Sequence, residues 1–220
     1  MIGTRQDEHV HYSASVFRHI LDSLARPGKL TQLPYPHHLG EPPRTPSSTI
    51  ANFYALGALL TLLDREVSFA VAEHGVWQSR DTEIVQWLAL RSGASLAEPS
   101  DAHFVLFCDG SSDSQLLQLN EGTLLEPEES ATAIYCVTAL DTEIPGPIML
   151  ELSGPGIETT HTVSITGLDR LEIAHIVATR QRYPLGVDIY LIDENGRCLG
   201  LPRTTRLRLL ESARQKEHTR

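Results

Sequence analysis

Short apolar runs typical of β-strands alternate along this chain with segments whose apolar residues recur at helical spacing. Strand-like runs lie at 67–72 and 103–108, and the segment after Asp81 between them has the helical period. In the last third of the chain, strand-like runs follow one another with little helix between them. Helices that alternate with strands pack in layers on a sheet, and consecutive strands add antiparallel pairs to it. The sequence therefore predicts an α/β fold with a mixed sheet.

Capping residues, prolines and glycines set the predicted bounds of the individual elements. Helices are predicted to begin near Ser13 or Ser15, at Ser47 or Ser48, at Asp81 and at Asp169, the last running to Arg182. Strands are predicted at 29–33, 67–72, 103–108, 133–138, 148–152, 163–166, 187–192 and 197–201, with a proline-rich surface loop at 34–46. Asn195-Gly196 predicts a tight hairpin turn between the last two strands. One domain over 1–220 is expected, with 1–12 and 207–220 frayed.

The charged residues of the chain exclude two broad classes of function. The sequence has 18 basic and 28 acidic side chains, for a net charge of −10. Nucleic-acid backbones bind to clustered basic residues, so the acidic balance argues against a nucleic-acid partner. Only two of the basic residues are lysines, Lys29 and Lys216. Schiff-base chemistry needs a buried lysine amine, and neither position is a convincing one, since the first follows a helix-stopping glycine and the second lies in a polar tail.

Cysteine spacing and hydropathy indicate the compartment. Cys108, Cys136 and Cys198 are far apart and form no Cys-x-x-Cys pair, so neither an iron-sulfur cluster nor a structural zinc site is expected. A reduced, cytoplasmic protein is the simplest interpretation. The first ten residues carry charges where a signal peptide would be apolar, and the apolar run at 55–63 is shorter than the ~20 residues that cross a bilayer. We therefore expect no membrane association.

Common catalytic and phosphate-binding patterns are missing from the chain. Gly154-Pro155-Gly156 begins like a dinucleotide-binding loop but lacks the third glycine, so a turn after a strand is favoured over an anion-binding loop. No serine lies in a Gly-x-Ser-x-Gly motif, and Cys108 is interpreted as a buried structural thiol. The histidines, none with an evident orienting partner or third metal ligand, are interpreted as solvated or isolated: His9, His11, His37, His38, His161 and His175.

Two arginine motifs are the most informative polar sites. Arg26-Pro27-Gly28 ends the first predicted helix, and Arg203-Thr204-Thr205 follows the last predicted strand. A guanidinium group binds phosphate or carboxylate through two parallel hydrogen bonds, so these arginines are candidate ligand contacts. Structural pairing with a carboxylate is the alternative that physical grounds favour. Asp64 and Asp188 are the candidate partners, and Asp188 is the more buried of the two by its sequence context.

Six segments taken in order resemble one protein family. They are 17–22 with 25–28, 59–64, 122–124 with 127–132, 152–157, 183–188 and 201–205. Together they are similar to the PhnH subunit of the bacterial carbon-phosphorus lyase system, and the resemblance covers about 190 residues. The departures are mild. Tyr183 stands where phenylalanine is common, and Glu129 stands where a neutral polar residue is usual, which puts in doubt any contact that this side chain makes.

The resemblance implies a fold, partners and an activity. Members resemble a pyridoxal-phosphate-dependent transferase, a three-layer α/β/α arrangement, but hold no cofactor. They form homodimers and join the other lyase core subunits. The assembly joins a phosphonate to ribose C1 of ATP and displaces adenine, so ATP and phosphonate are candidate ligands. No catalytic or metal-binding residue is expected here. Residues expected to form a pocket or a subunit contact are Arg26, Pro27, Gly28, Gly154, Pro155, Gly156, Asp188, Arg203, Thr204 and Thr205.

Three functions follow from these observations. The leading one is an accessory subunit that supports synthesis of a ribose 1-phosphonate 5-triphosphate. The second is a self-sufficient enzyme that binds a phosphorylated or carboxylated small molecule through Arg26 and Arg203. The third is a structural dimeric scaffold. Convergence of both arginines on one cleft beside a titratable base would favour the second, and arginines paired with acidic neighbours would favour the third.

Overall fold

The computed structural model describes residues 3–210, with side chains from residue 7 onward. The helices are α1 Gly3–Ala25, α2 Phe53–Leu62, α3 Glu83–Ser92 and α4 Glu172–Ala178. The strands are β1 Thr31–Gln32, β2 Ser68–Glu73, β3 Val76–Trp77, β4 Ser95–Leu96, β5 Phe104–Phe107, β6 Thr132–Val137, β7 Ala139–Asp141, β8 Ile148–Ser153, β9 His161–Thr166, β10 Asp188–Asp193, β11 Arg197–Leu201 and β12 Arg206–Leu210. Short 3₁₀ turns lie at His37–Leu39, Pro99–Asp101, Gln115–Gln118 and Pro127–Glu129.

The main sheet is mixed, as the sequence predicts. Its strand order is β1-β11-β10-β6-β5-β2-β3, with β4 paired to β2. Strands β10, β6, β5, β2 and β4 run parallel, whereas β1, β11 and β3 pair in antiparallel fashion. The predicted hairpin joins β10 to β11, and Gly196 occupies the left-handed region there with φ +81°. The α/β class and the mixed sheet are therefore confirmed.

Side chains alternate between two cores on the two faces of this sheet. In β10, Ile189 and Leu191 enter one apolar cluster, while Tyr190 and Ile192 enter the other. Strand side chains point to opposite faces in turn, which explains the division. Helices α1, α2 and α3 cover the second cluster. The first cluster is covered by α4 and by a second sheet with strand order β12-β8-β9-β7. The main sheet thus lies between a helical layer and a layer that is largely β-structure.

The third layer differs from the α/β/α arrangement that the resemblance implies. Strand β8 alternates buried with half-buried residues, so it has one face for the core and one near solvent. Strands β8 and β9 follow each other with no helix between them and pair in antiparallel fashion. Antiparallel sheets cover a core with one face and leave the other wet. A sheet therefore forms where helices were expected, and α4 is the one helix packed beside it among residues 3–210.

Both ends of the described chain are more regular than expected. Helix α1 begins at Gly3 rather than near Ser13, and its early turns pack on the proline-rich loop, since the rings of Tyr12 and His38 lie 4.5 Å apart. Strand β12 pairs with β8 although the chain beyond Arg206 was expected to fray. Leu207 and Leu209 alternate with arginines there and pack on the core. Residues 1–2 and 211–220 lie outside the described residues.

Two helix starts lie further along the chain than predicted. Asn52, rather than Ser47 or Ser48, caps α2, and its side-chain oxygen accepts from the Ala55 amide at 3.1 Å. Helix α4 is also shorter than predicted, because it begins at Glu172 and ends at Ala178, short of Arg182. Within the part of the chain that the structure describes, no helix is both long enough and apolar enough to cross a membrane.

Candidate functional site

The turn at Gly154–Gly156 joins two segments that are distant in sequence. A Cβ atom on Gly154 would lie 2.9 Å from the carbonyl oxygen of Thr204. A Cβ atom on Gly156 would lie 2.5 Å from the carbonyl oxygen of Ala25 and 3.0 Å from the Pro27 ring. Contacts this close require glycine at both positions. The turn therefore packs between the Arg26-Pro27-Gly28 and Arg203-Thr204-Thr205 motifs.

The 183–188 segment packs against the same region. A Cβ atom on Gly186 would lie 3.2 Å from the Arg203 Cβ and 2.5 Å from the Thr179 carbonyl oxygen. We call the four segments 25–28, 154–156, 183–188 and 201–205 the motif cluster. Four stretches that carry the family resemblance are thus neighbours in space. The close packing of the four segments explains why each of them contains glycine or proline.

Arg203 is the central polar residue of the motif cluster. Its Nε and Nη2 atoms donate to the two carboxylate oxygens of Asp188 at 3.3 and 2.8 Å. Its Nη1 atom donates to the carbonyl oxygens of Pro127 at 2.7 Å and Pro184 at 3.3 Å. Nη2 also donates to the Ser130 hydroxyl. A guanidinium group has five N–H donors, and here all five have protein acceptors. Arg203 is therefore a structural clamp with no donor left for a ligand.

Arg26 has a different environment. Its side chain is 59% exposed and pairs with Asp22, one helical turn earlier. Lys29 donates to the same carboxylate at 2.9 Å. The partner is neither Asp64 nor Asp188, because the i,i+4 spacing of α1 brings Asp22 nearest. Exposed pairs of this kind add little stability and leave the cation accessible. Arg26 therefore lies at the surface edge of the motif cluster.

A cavity of about 630 Å³ opens beside the motif cluster. Its walls come from the end of α4, the start of β12 and the glycine turn. The lining residues are Gly154, Pro155, Val177, Arg180, Gln181, Tyr183, Arg203, Thr204, Thr205, Arg206 and Leu207. Five of the predicted residues lie in this lining: Gly154, Pro155, Arg203, Thr204 and Thr205. The other five, Arg26, Pro27, Gly28, Gly156 and Asp188, do not.

Arg180 is a cavity residue that the sequence did not single out. Its Nη2 donates to the Leu201 carbonyl at 2.7 Å and its Nη1 to the Ile176 carbonyl at 3.3 Å. Within residues 7–210, no carboxylate lies within ion-pairing distance of it. Burial lowers the pKa of Arg180 to about 10, against the opposing effects of Asp188 and Tyr135. A group with this pKa is still charged near neutral pH, so the cavity contains a partly buried cation.

A second polar group, built on Glu172, was also missed by the sequence. The buried Glu172 carboxylate accepts from the Tyr135 hydroxyl at 2.7 Å and from the amide of Ser112 at 2.9 Å, and from the Ser112 hydroxyl. His175 lies beside it, with Nε2 3.2 Å from the Ser114 hydroxyl. Residues of a serine-histidine-acid triad therefore lie together.

This group does not have the orientation that triad catalysis requires. The Nδ1 atom of His175 lies 3.5 Å from Glu172 and makes no hydrogen bond within residues 7–210. In a triad, that bond orients the imidazole as a base. The Glu172 oxygens instead bind Tyr135 and Ser112, and the pKa of Tyr135 is raised by its burial and by the neighbouring carboxylate. We interpret the group as a structural network between α4 and the main sheet.

Histidines, cysteines and lysines are the residues that metal, thiol or Schiff-base chemistry would need. His9 and His38 do approach each other, with ring nitrogens 3.2 Å apart, but no group of three or more potential ligands forms around them in this part of the chain. Burial raises the pKa of all three thiols, those of Cys108, Cys136 and Cys198. Lys29 pairs with Asp22 at the surface, and Lys216 lies outside the described residues.

This α/β chain matches a known protein family over most of its length. Residues 5–208 match the family model described as "Bacterial phosphonate metabolism protein (PhnH)", which defines the chain as a protein of bacterial phosphonate metabolism. The matched range contains all six segments of the resemblance and the whole motif cluster. The chain belongs to the PhnH family.

Two curated proteins are similar over most of their length. The chain is 30% identical over 207 residues to "Alpha-D-ribose 1-methylphosphonate 5-triphosphate synthase subunit PhnH" of Rhizobium meliloti (strain 1021), covering 90% of this chain and 91% of the relative. It is 27% identical over 197 residues to "Putative C-P lyase subunit protein HtxG" of Stutzerimonas stutzeri, covering 89% and 85%. Both names describe subunits, and the predicted family is confirmed.

Proposed function

We propose that this protein is an accessory subunit of a carbon-phosphorus lyase core complex, where it supports synthesis of a ribose 1-phosphonate 5-triphosphate. The observation that carries the proposal is the similarity to a named synthase subunit over 90% of the chain. In the proposed reaction, a phosphonate oxygen attacks ribose C1 of ATP and adenine leaves with the bonding electrons. A multi-subunit assembly divides such a task, so one chain need not carry the reacting groups.

The geometry of the motif cluster favours a non-catalytic role, which an accessory subunit and a structural scaffold share, because both arginines pair with acidic neighbours, Asp22 and Asp188. The second hypothesis needs Arg26 and Arg203 to grip one substrate, but the donors of Arg203 are all bound within the protein and Arg26 lies outside the cavity lining. The orienting bond of the His175 group is also missing. These observations do not favour a self-sufficient enzyme with that arginine clamp.

We also propose an oligomeric state, a compartment and partners for the protein. We infer one PhnH-like domain that forms a homodimer in isolation, in the cytoplasm, and that binds the other core subunits when they are present. Among the described residues, the free thiols of Cys136 and Cys198, which are buried, and of Cys108, which is half-buried rather than buried as expected, suit a reducing compartment. The family resemblance supports the dimer, and the subunit names of both relatives support further protein partners.

Reconstitution tests this function directly. The remaining core subunits of the native host, given ATP and methylphosphonate, are expected to form the ribosyl phosphonate only when this chain is added, as followed by mass spectrometry. The chain alone is expected to form none. Synthesis at the full rate without it would contradict the proposal. Product formation by the chain alone would establish the self-sufficient enzyme instead.

A further inference from the structure

The cavity beside the motif cluster is unusually basic for an acidic protein. Among the residues that the structure describes, its lining contains Arg180, Arg203 and Arg206 and no aspartate or glutamate. The chain as a whole carries a net charge of −10. A cavity lined by one sign of charge concentrates counter-ions of the other sign. The surplus of acidic residues elsewhere therefore makes this local excess of arginine more informative.

Among residues 7–210, two of the three arginines have no carboxylate partner. Asp188 neutralises Arg203 at 2.8 Å. Neither Arg180 nor Arg206 has a carboxylate within 4.0 Å among residues 7–210. Six further arginines in this range are also unpaired, while four others do pair with a carboxylate: Arg26, Arg182, Arg197 and Arg208. Arg180 and Arg206 differ from the other unpaired arginines in lying together on one cavity whose described lining has no carboxylate, which indicates a binding site for an external anion.

Unused hydrogen-bond donors remain on Arg180. Each of its two Nη atoms carries two N–H groups and donates to one carbonyl oxygen, on Ile176 and on Leu201. The second N–H of each atom has no acceptor among residues 7–210. An oxyanion in the cavity would accept from these groups and would also neutralise the charge of Arg180.

We propose that this cavity binds a small molecule through a phosphorus oxyanion, either a phosphate or a phosphonate group, with Arg180 and Arg206 as its contacts. A volume of about 630 Å³ suits a small molecule rather than a single ion. The anion site follows from the charge and the unused donors of the cavity. The choice of a phosphorus oxyanion over a carboxylate rests on the proposed function. Arg203 holds the wall in place and does not contact the ligand.

Calorimetric titration of the purified full-length chain tests this site without any partner subunit. The probes are ATP, inorganic pyrophosphate and methylphosphonate, with succinate as a carboxylate control. At least one phosphorus oxyanion is expected to bind with one site per chain and more tightly than succinate. Binding of ATP and pyrophosphate alone would identify a polyphosphate as the ligand group, whereas binding of methylphosphonate alone would identify the phosphonate.

Substitutions in the cavity sharpen the test. Arg180→Gln removes the partly buried cation and is expected to weaken binding about tenfold or more, which is the scale of one charge-assisted contact. Arg206→Gln changes an exposed side chain, so it keeps the test valid if Arg180→Gln does not fold. Arg208→Gln is the matched control, because Arg208 lies on the same strand but pairs with Glu151. Its affinity should equal that of the unmodified chain.

Three results would overturn the site. They are the absence of binding by all three phosphorus probes, binding unaffected by both Arg180→Gln and Arg206→Gln, and succinate binding as tight as that of the phosphorus probes. None of them depends on complex formation. Loss of the site with intact reconstitution would therefore refute the cavity alone, whereas failed reconstitution with intact binding would refute the subunit role alone.

Discussion

Arg203→Ala is expected to lower the free energy of unfolding by about 3 kcal/mol, the scale of removing one partner of a buried ion pair. The side chain is 15% exposed and its partner carboxylate on Asp188 is 22% exposed. The substitution leaves the Asp188 carboxylate with the backbone amide of residue 203, at 2.7 Å, but without the guanidinium donors, and it removes the Arg203 donor from the carbonyl oxygens of Pro127 and Pro184. Unmet acceptors at partly buried positions account for the loss. Urea unfolding followed by circular dichroism measures it.

A neighbouring arginine supplies the control for this experiment. Arg208→Ala removes an exposed pair with Glu151 and should change the free energy of unfolding by about 0–1 kcal/mol. Arg203→Lys should fall between the two, because one ammonium group cannot replace five donors in a plane. A loss at Arg203→Ala no larger than at Arg208→Ala would contradict the clamp that we describe.

Gly156→Ala is expected to cost about 2–5 kcal/mol for two separate reasons. Gly156 has φ +82°, where a side chain costs roughly 1–2 kcal/mol. The new Cβ would also meet the Ala25 carbonyl oxygen at 2.5 Å, and overpacking of this kind adds about 1–3 kcal/mol. Backbone atoms of Ala25 cannot move aside as a flexible side chain can. Thermal unfolding is the measurement.

Gly93→Ala isolates the backbone contribution. Gly93 lies in the left-handed region at the end of α3, with φ +76° and ψ 0°, and the described atoms nearest to a Cβ there all belong to the flexible side chain of Arg65. Its cost should therefore be only the roughly 1–2 kcal/mol of the left-handed conformation. The difference between the two variants measures how tightly the glycine turn packs on the Ala25–Pro27 segment. Equal losses at the two glycines would mean that the turn does not pack there.

Local chemistry explains why much of the main sheet was predictable. The period-2 pattern and the Asn195-Gly196 turn define the last hairpin, and the structure forms it with Ile189 opposite Leu201. That register also brings Asp188, at the start of β10, beside Arg203, just past the end of β11. The pairing of Arg203 with Asp188, one of the two candidate partners, thus follows from the hairpin. Sequence patterns of this type act over a few residues, where backbone geometry leaves little choice.

The third layer and the cavity could not be predicted from the sequence, because they depend on packing between distant segments. The alternating residues of β8 fit one face of any sheet, so the pattern does not say which element lies across the core. Arg180 looks in sequence like an ordinary polar residue near a helix end. Its importance comes from burial beside Leu201 and from the missing carboxylate, both set by distant segments. The single signal of the cavity in the sequence was that Arg206 directly follows the Arg203-Thr204-Thr205 motif.

Purification of the protein from its native host tests the central claim most directly. An affinity-tagged copy at the chromosomal locus, in cells grown on a phosphonate as phosphorus source, is expected to bring the other carbon-phosphorus lyase core subunits with it, identified by mass spectrometry. An unrelated acidic cytoplasmic protein with the same tag is the control. A tagged protein that elutes without those subunits, in cells shown to contain them, would contradict the subunit role.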